Sequence, residues 1–267
     1  MKKSEETGKV KIYQETDYEN ENIMVYDSGN VYQSATYLDK DKRYELVFEY
    51  MRQFNRAFDL FPGAKDILML GGGRYAYPKY VISHYPETAM DVVEIDSEAW
   101  DIACKSFYLN DLITEYDLEN NDRLNNIVMD AEDYIYQCDK TYDIIVDDIY
   151  LDIEPLFSLL TLEAFSQFKT LLNKNGILVL NLPGYRKHQN TEYLLNVLRT
   201  LQEVFDNVQL VKAFNYRYTK TGNYVILASD NPLKLKESLE YDTSESVLIT
   251  LRDCEKLRDQ FYEFVEK

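Results

Sequence analysis

The chain has 267 residues, 45% of them hydrophobic, which is enough for one large α/β domain or for one domain with a small addition. A formal net charge of −18 argues against nucleic-acid binding, because that function requires a basic surface. The cysteines Cys104, Cys138 and Cys254 follow no metal-binding spacing, so we expect neither a bound metal nor a disulfide framework. No apolar run is long enough to cross a bilayer and no signal peptide is recognisable, so we expect a cytoplasmic protein that binds no membrane.

The first sixty residues are predicted to form a small subdomain. Apolar and polar residues alternate from Val10 to Thr36, which indicates a β-hairpin or meander. Helical spacing of apolar residues from Asp39 to Phe58 predicts a helix, which Pro62-Gly63 ends. We therefore assign residues 1–60 to an N-terminal β-hairpin and helix subdomain and residues 61–267 to the main domain.

Strands and helices alternate through the main domain. Strands are predicted at residues 67–70, 90–96, 126–130, 142–148 and 177–182. Helices are predicted at residues 78–84, 97–108, 131–137, 161–172, 191–205 and 253–265. Residues 208–214 and 224–229 are two further strands, joined by a loop too short for a crossover, so they should be antiparallel. Residues 110–124 are predicted to be a polar loop. This alternation is typical of an α/β fold with a mainly parallel sheet.

Three consecutive glycines follow the first strand of the main domain. The chain contains only 9 glycines, so the run Gly71–Gly73 is not accidental. Glycines at the end of a strand allow a sharp turn and a close approach of the backbone to a ligand. Together with Ala76 they also satisfy the G-x-G-x-x-A pattern, which by itself is a weak indication of nucleotide binding.

Acidic residues stand at the carboxyl ends of the predicted strands, where open α/β sheets bind ligands. Glu94 can accept hydrogen bonds from both ribose hydroxyls of a nucleoside, and Asp130 can accept one from an adenine amine. Asp147 is placed further along, near the reacting end. Strand-end acids also serve as helix N-caps or solvated turn residues, and for Asp148 we expect that simpler role.

The chain resembles the spermidine synthases, and more broadly the class I S-adenosylmethionine-dependent methyltransferases, from about Tyr18 to Ser229. The similar segments are Leu70-Gly71-Gly72-Gly73, Val93-Glu94-Ile95-Asp96, Asp130-Ala131, Tyr142 to Asp147, and Leu156-Phe157 with Thr161, Glu163 and Phe165. The resemblance implies a Rossmann-like methyltransferase sheet of seven strands, the last pair antiparallel, with a small N-terminal β-hairpin subdomain. It also implies that residues 61–267 are a Rossmann-like S-adenosylmethionine-dependent transferase domain and that the protein is a homodimer.

The resemblance carries site residues with it. It implies that the adenosyl compound is bound by Gly71, Gly72, Gly73, Arg74, Glu94, Asp130, Ala131 and Gln33. It implies catalytic roles for Asp147, Tyr44 and Tyr218. The bound compound would be S-adenosylmethionine, or decarboxylated S-adenosylmethionine as co-substrate, without a metal, and the acceptor a small molecule such as an amine.

Two positions depart from the spermidine synthase pattern. Arg74 stands where the family has an Asp that holds the amine of the aminopropyl donor, and Tyr150 stands where it has a second acid for the acceptor amine. A guanidinium repels a cationic donor but can pair with the carboxylate of S-adenosylmethionine. The substitution therefore favours methyl transfer over aminopropyl transfer.

Three alternatives stay open. One is a polyamine aminopropyltransferase in which other acids replace the missing carboxylates. Another is a non-catalytic homologue that binds a nucleoside or a polyamine. The last is a nicotinamide-dependent oxidoreductase, because Gly71, Gly73, Ala76 and Glu94 would also suit a dinucleotide.

Overall fold

The computed structural model describes residues 10–17, 19–28, 31–151, 153–185, 191–214 and 221–265. An N-terminal antiparallel sheet contains β1 (Val10–Thr16), β2 (Asn22–Ser28) and β3 (Val31–Tyr37) in that order. The later strands are β4 (Asp66–Leu70), β5 (Ala89–Glu94), β6 (Leu124–Val128), β7 (Tyr142–Asp147), β8 (Tyr150–Leu151), β9 (Glu154–Pro155), β10 (Leu172–Tyr185), β11 (Asn207–Ala213) and β12 (Thr221–Ser229). The helices are α1 (Glu49–Phe54), α2 (Arg56–Leu60), α3 (Ala76–His84), α4 (Ala99–Ser106), α5 (Leu109–Glu115), α6 (Ala131–Gln137), α7 (Leu162–Leu171), α8 (Glu192–Val204) and α9 (Cys254–Val265).

The main sheet has seven strands in the order β11-β12-β10-β7-β4-β5-β6. β4, β5, β6, β7 and β10 run parallel, and β12 is antiparallel to both of its neighbours. Successive residues of β4 pack into different cores, Leu68 and Leu70 on one face and Ile67 and Met69 on the other. A strand buried on both faces reads as a continuous apolar run, which is why this segment contains no polar position after Asp66. The predicted Rossmann-like sheet with an antiparallel last pair is confirmed.

The prediction of one helix over residues 39–58 is wrong. The helices begin only at Glu49, and turns occupy most of residues 39–48. Backbone carbonyl oxygens in this segment accept hydrogen bonds from side chains instead of from the amides of a helix. Arg52 donates to the carbonyl of Leu46, and Lys79 donates to the carbonyl of Arg43. These tertiary contacts override the helical spacing of the apolar residues.

The prediction of a polar loop over residues 110–124 is also wrong in its first half, which forms α5. Only Leu109 and Leu112 are buried in this helix, too few to produce a recognisable period. The β-hairpin formed by β8 and β9, directly after β7, was not expected either. No helix in the described parts of the chain is long and apolar enough to cross a membrane.

Buried Lys79 fastens the N-terminal sheet to the main domain. Its side chain is 1% exposed, and the ammonium donates to Thr36 Oγ1 on β3 at 2.9 Å and to the carbonyls of Arg43 and Phe107. Burial lowers the pKa of Lys79 to about 7. The contact fixes β3, and with it Gln33, relative to the start of α3.

Candidate active site

The glycine loop after β4 lies against the segment after β7. Gly71 has φ +84°, and a Cβ atom at this position would lie 2.5 Å from the carbonyl oxygen of Asp148. The amide of Asp148 donates to the carbonyl of Leu70 at 3.0 Å, which closes the contact from the other side. Gly73 also has positive φ, +53°. Gly71 is therefore required by both its backbone conformation and its close approach to β7.

We expect Gly71→Ala to lower the free energy of unfolding by about 1–3 kcal/mol, because a non-glycine residue is strained at this φ and its Cβ meets backbone. Donor affinity should fall with it. Thermal denaturation and calorimetric titration with methylthioadenosine measure the two effects.

Gly63→Ala is the matched control, since the nearest atom to a Cβ there is Phe61 Cε2 at 3.8 Å, an ordinary contact. If the two variants melt at the same temperature, the close approach of the backbone at Gly71 does not contribute to the free energy of unfolding.

Tyr75, two residues after Gly73, connects the glycine loop to β6. It has φ +61°, is completely buried, and its hydroxyl donates to Asn126 Oδ1 on β6 at 2.6 Å. A tyrosine in the left-handed region is held there only by its surroundings. Nothing in the sequence distinguished Tyr75 from the other 23 tyrosines.

Glu94, at the end of β5, fixes the glycine loop and keeps capacity for a ligand. Its Oε2 accepts the Gly73 amide and its Oε1 accepts the Asp96 amide, both at 2.9 Å. Each carboxylate oxygen has a second lone pair, so two acceptor positions remain for two hydroxyl groups. This arrangement suits the predicted contact with a ribose.

Arg74 is already paired within the protein. It is 5% exposed, its Nη2 donates to Asp96 Oδ2 at 2.9 Å, and its Cζ lies 3.8 Å from the ring centroid of Tyr26. Its Nη1 donates to the carbonyl of Gly73 at 3.1 Å. The expectation that a free charge at Arg74 would repel a cationic donor therefore loses its basis, because Asp96 neutralises that charge and Glu94 adds a negative one.

Gln33 meets the glycine loop through a β-bulge. In the pairing of β2 with β3, Tyr26 faces Ser34 and Asp27 faces Tyr32, so Gln33 is the extra residue. The carbonyl oxygen of Gln33 lies 4.0 Å from the position of a Cβ on Gly73. Bulges often redirect a residue beside a functional site. The structure thus brings the backbone of Gln33 to the glycine loop, and its contact with the adenosyl compound stays a prediction.

Asp130 is the N-cap of α6, with Oδ1 accepting the amides of Glu132 and Asp133. Its Oδ2 makes no hydrogen bond with the residues that the structure describes and is available to an adenine amine. Ala131 is 7% exposed and packs into the core. Ile95 and Val128 are 64% and 53% exposed at the ends of neighbouring β5 and β6, so apolar side chains are exposed at this edge of the sheet.

Asp147 and Asp148 form a pair of acids between β4 and β10. Asp147 is 7% exposed, and burial raises its pKa to about 7. Asp148 is partly buried, and desolvation followed by the charge of Asp147 raises its pKa to about 8. Within the described ranges, neither acid has a cationic partner. A buried acid pair without a cation is costly when ionised and favours binding a positively charged group.

The expectation for Asp148 as a helix N-cap or a solvated turn residue is wrong. No helix begins here, since β7 continues into the β8–β9 hairpin. Asn181 Nδ2 donates to Asp148 Oδ1 at 2.7 Å, and Tyr50 lies close enough to the same carboxylate to interact with it electrostatically. The sequence analysis missed Tyr50 and Asn181. The register of β7 with β10 could have indicated Asn181. Leu180 pairs with Asp147 in that register, so Asn181 and Asp148, the next residue of each segment, are neighbours.

Tyr44 does not contact Asp147 in the described structure. Its hydroxyl donates to Glu115 Oε2 on α5 at 2.9 Å, and Arg43 lies over its ring with Cζ 4.9 Å from the centroid. The resemblance placed Tyr44 in a catalytic role, whereas its contacts tie it to α5. The other predicted catalytic tyrosine, Tyr218, lies outside the described residues.

Comparisons with known proteins identify the family to which this chain belongs. The family model of the spermine/spermidine synthase domain matches residues 48–237. The polyamine aminopropyltransferase of Methanocaldococcus jannaschii is 27% identical over 223 residues, which cover 81% of this chain and 72% of that protein. The polyamine aminopropyltransferase of Vibrio vulnificus is 28% identical over 219 residues, covering 79% of this chain and 66% of that protein.

Solved structures share the fold. A probable spermidine synthase from Corynebacterium glutamicum has a TM-score of 0.67 and 23% identity, and the match covers 86% of this chain and 81% of that one. Human methyltransferase-like protein 13 in complex with SAH has a TM-score of 0.55 and 18% identity, with 82% and 93% covered. Since the family model covers more than half of the chain, this protein belongs to the spermine/spermidine synthase domain family.

Proposed function

We propose that this protein transfers an aminopropyl group from decarboxylated S-adenosylmethionine to an amine. The observation that carries the proposal is the acid pair at the carboxyl edge of the sheet beside Gly71, in which Asp147 is buried and Asp148 is partly buried, with no cationic partner in the described structure. Amine acceptors are cations at neutral pH, and a net charge of −18 favours their approach. The matches to polyamine aminopropyltransferases support the same activity.

The donor site is argued from the residues around the glycine loop. Glu94 has two free acceptor positions for the ribose, Asp130 Oδ2 is available for the adenine amine, and Ile95 offers apolar contact to the ring. Arg74 does not oppose a cationic donor, since Asp96 pairs with it. A donor held by these groups would have its sulfonium end directed toward β7.

The reaction needs a neutral amine nitrogen. Asp147 takes a proton from the acceptor ammonium, and a carboxyl with a pKa of about 7 is well matched to this role. The nitrogen lone pair then attacks the methylene carbon next to sulfur, and the electron pair of the breaking C–S bond stays on sulfur. The products are methylthioadenosine, now a neutral thioether, and the lengthened amine, whose new secondary nitrogen carries the positive charge and the two protons left after the transfer to Asp147. Positioning supplies much of the rate.

Methyl transfer from S-adenosylmethionine is the second candidate, and one observation favours it. Arg74 Nε is buried and has no hydrogen-bond partner in the parts of the chain that the structure describes. A buried N–H without an acceptor is unfavourable, and the carboxylate of S-adenosylmethionine could accept from it.

Calorimetric titration with the two donors tests the choice. We expect the decarboxylated donor to bind more tightly than S-adenosylmethionine, and Arg74→Gln to change the ratio of the two affinities by less than about threefold. If Arg74 instead holds a carboxylate, Arg74→Gln should weaken S-adenosylmethionine selectively by about 10- to 150-fold, the value of a hydrogen bond to a charged group. That second outcome would replace aminopropyl transfer by methyl transfer.

A further inference from the structure

We infer that Asp148 holds the ammonium group of the acceptor, in place of the acid that this chain lacks at position 150. The inference rests on the proposed aminopropyl transfer and assigns a specificity-determining residue to it. Asp148 directly follows Asp147, so a single short segment carries both the proton acceptor and the ammonium-binding group.

A chain of side-chain hydrogen bonds orients the Asp148 carboxylate. Asn223 Nδ2 on β12 donates to Asn181 Oδ1 at 2.9 Å, and Asn181 Nδ2 on β10 donates to Asp148 Oδ1 at 2.7 Å. Asn181 is 4% exposed, so this chain is shielded from water. An amide that uses its oxygen toward Asn223 must present its N–H to Asp148, which fixes the direction of the chain. The carboxylate is thus positioned by two neighbouring strands of the sheet.

Three tyrosines lie close enough to the acid pair to interact with it electrostatically. Burial, together with the nearby Asp148 carboxylate, keeps the pKa of Tyr50 on α1 well above its usual range. The pKa values of Tyr150 and Tyr193 are raised by burial and further by neighbouring charges, which for both include Asp147. The three tyrosines are therefore neutral and add no negative charge beside the acid pair. Neutral aromatic rings beside carboxylates are the surroundings that alkylammonium groups prefer.

Tyr150 cannot serve as the second acid and is already engaged. Its hydroxyl donates to the carbonyl of Asn181 at 2.6 Å, which ties β8 to β10. The close approach of the Asp148 backbone to Gly71 places Asp148 next to the donor loop. Of the other carboxylates at this loop, Asp96 is paired with Arg74 and Glu94 is assigned to the donor, so Asp148 is the one that stands beside the proposed proton acceptor.

The test is titration of the methylthioadenosine-saturated protein with 1,4-diaminobutane at pH 7, in two buffers that differ in heat of ionisation. The parent protein should bind the diamine and release protons, because an ammonium partner drives Asp148 toward its ionised form. Asp148→Asn should weaken diamine binding by about 10- to 150-fold and reduce proton release, with methylthioadenosine affinity unchanged. Asp148→Glu should retain more diamine affinity than Asp148→Asn. Asp101→Asn, at an exposed position of α4, is the matched control.

The possible results separate the two proposals. If the parent binds the diamine and Asp148→Asn binds it equally well, the assignment of Asp148 is wrong and aminopropyl transfer still stands. If the parent binds no diamine at millimolar concentration, both the assignment and the proposed acceptor class are wrong. If Asp148→Asn melts at a lower temperature than the parent, Asp148→Glu is compared with the parent instead. An Asp148→Glu variant that melts like the parent but no longer binds the diamine would contradict the assignment.

Discussion

Replacing Asp147 by Asn is expected to lower kcat by about 100- to 10,000-fold, the usual contribution of a positioned general base. The asparagine fills nearly the same volume but cannot take a proton from the ammonium of the acceptor. The rate of the parent should also rise with pH through about 7, because burial raises the pKa of Asp147 to that value and only the ionised form accepts a proton. Steady-state kinetics over pH 5.5–9 measure both effects.

The control for this variant is Asp133→Asn, an exposed carboxyl on α6. Its kcat and pH profile should equal those of the parent. An Asp147→Asn variant that keeps its kcat within threefold would contradict the role of Asp147 as proton acceptor, and Asp148 would then be the next candidate.

Glu94→Gln is expected to have the largest effect on donor binding. Methylthioadenosine affinity should fall by about 10- to 150-fold for each charged hydrogen bond lost. The amide also has only one oxygen, so it cannot accept from both the Gly73 and Asp96 amides as the carboxylate does. The glycine loop should therefore loosen as well. Calorimetric titration measures the affinity, and hydrogen exchange at Gly73 measures the loosening.

Glu98→Gln provides the comparison, because Glu98 is exposed two residues beyond Asp96. It should bind methylthioadenosine like the parent. If Glu94→Gln and the parent bind methylthioadenosine with equal affinity, Glu94 does not contact the ribose, and the proposed position of the donor is wrong.

The sequence predicted the parts of this molecule that depend on short-range pattern. Apolar runs followed by a glycine or an acid identified β4, β5 and β7, because a parallel strand buried on both faces leaves little choice of residue. The acids at the strand ends followed from the same pattern, since the carboxyl ends of parallel strands meet at one edge. The fold and the placement of Glu94 beside the glycine loop were therefore predictable.

The sequence predictions that were wrong concern features that depend on contacts between segments distant in the chain. Tyr50 lay on an apolar face in the sequence, and only the turns at residues 39–48 bring it to Asp148. Those turns are set by side chains such as Lys79, 36 residues away from its acceptor Arg43. The helical spacing of apolar residues does not show that a distant side chain donates a hydrogen bond to a backbone carbonyl, so it cannot predict these turns.

Arg74 shows the same limit for charge. From the sequence it is a cation beside a binding loop, and it favours methyl transfer. In the structure the guanidinium is paired with Asp96 and stacked on Tyr26, so its effect on a ligand is much reduced. Asp96 was visible in the sequence, but Tyr26 comes from β2, and only the folded N-terminal sheet brings it to the loop.

One measurement tests the central claim most directly. The protein is incubated with putrescine and decarboxylated S-adenosylmethionine, in parallel with S-adenosylmethionine, and the products are identified by mass spectrometry. We predict methylthioadenosine and spermidine in equal amounts with the decarboxylated donor, and no methylated amine with the other. S-adenosylhomocysteine and a methylated amine, with no spermidine, would contradict the account.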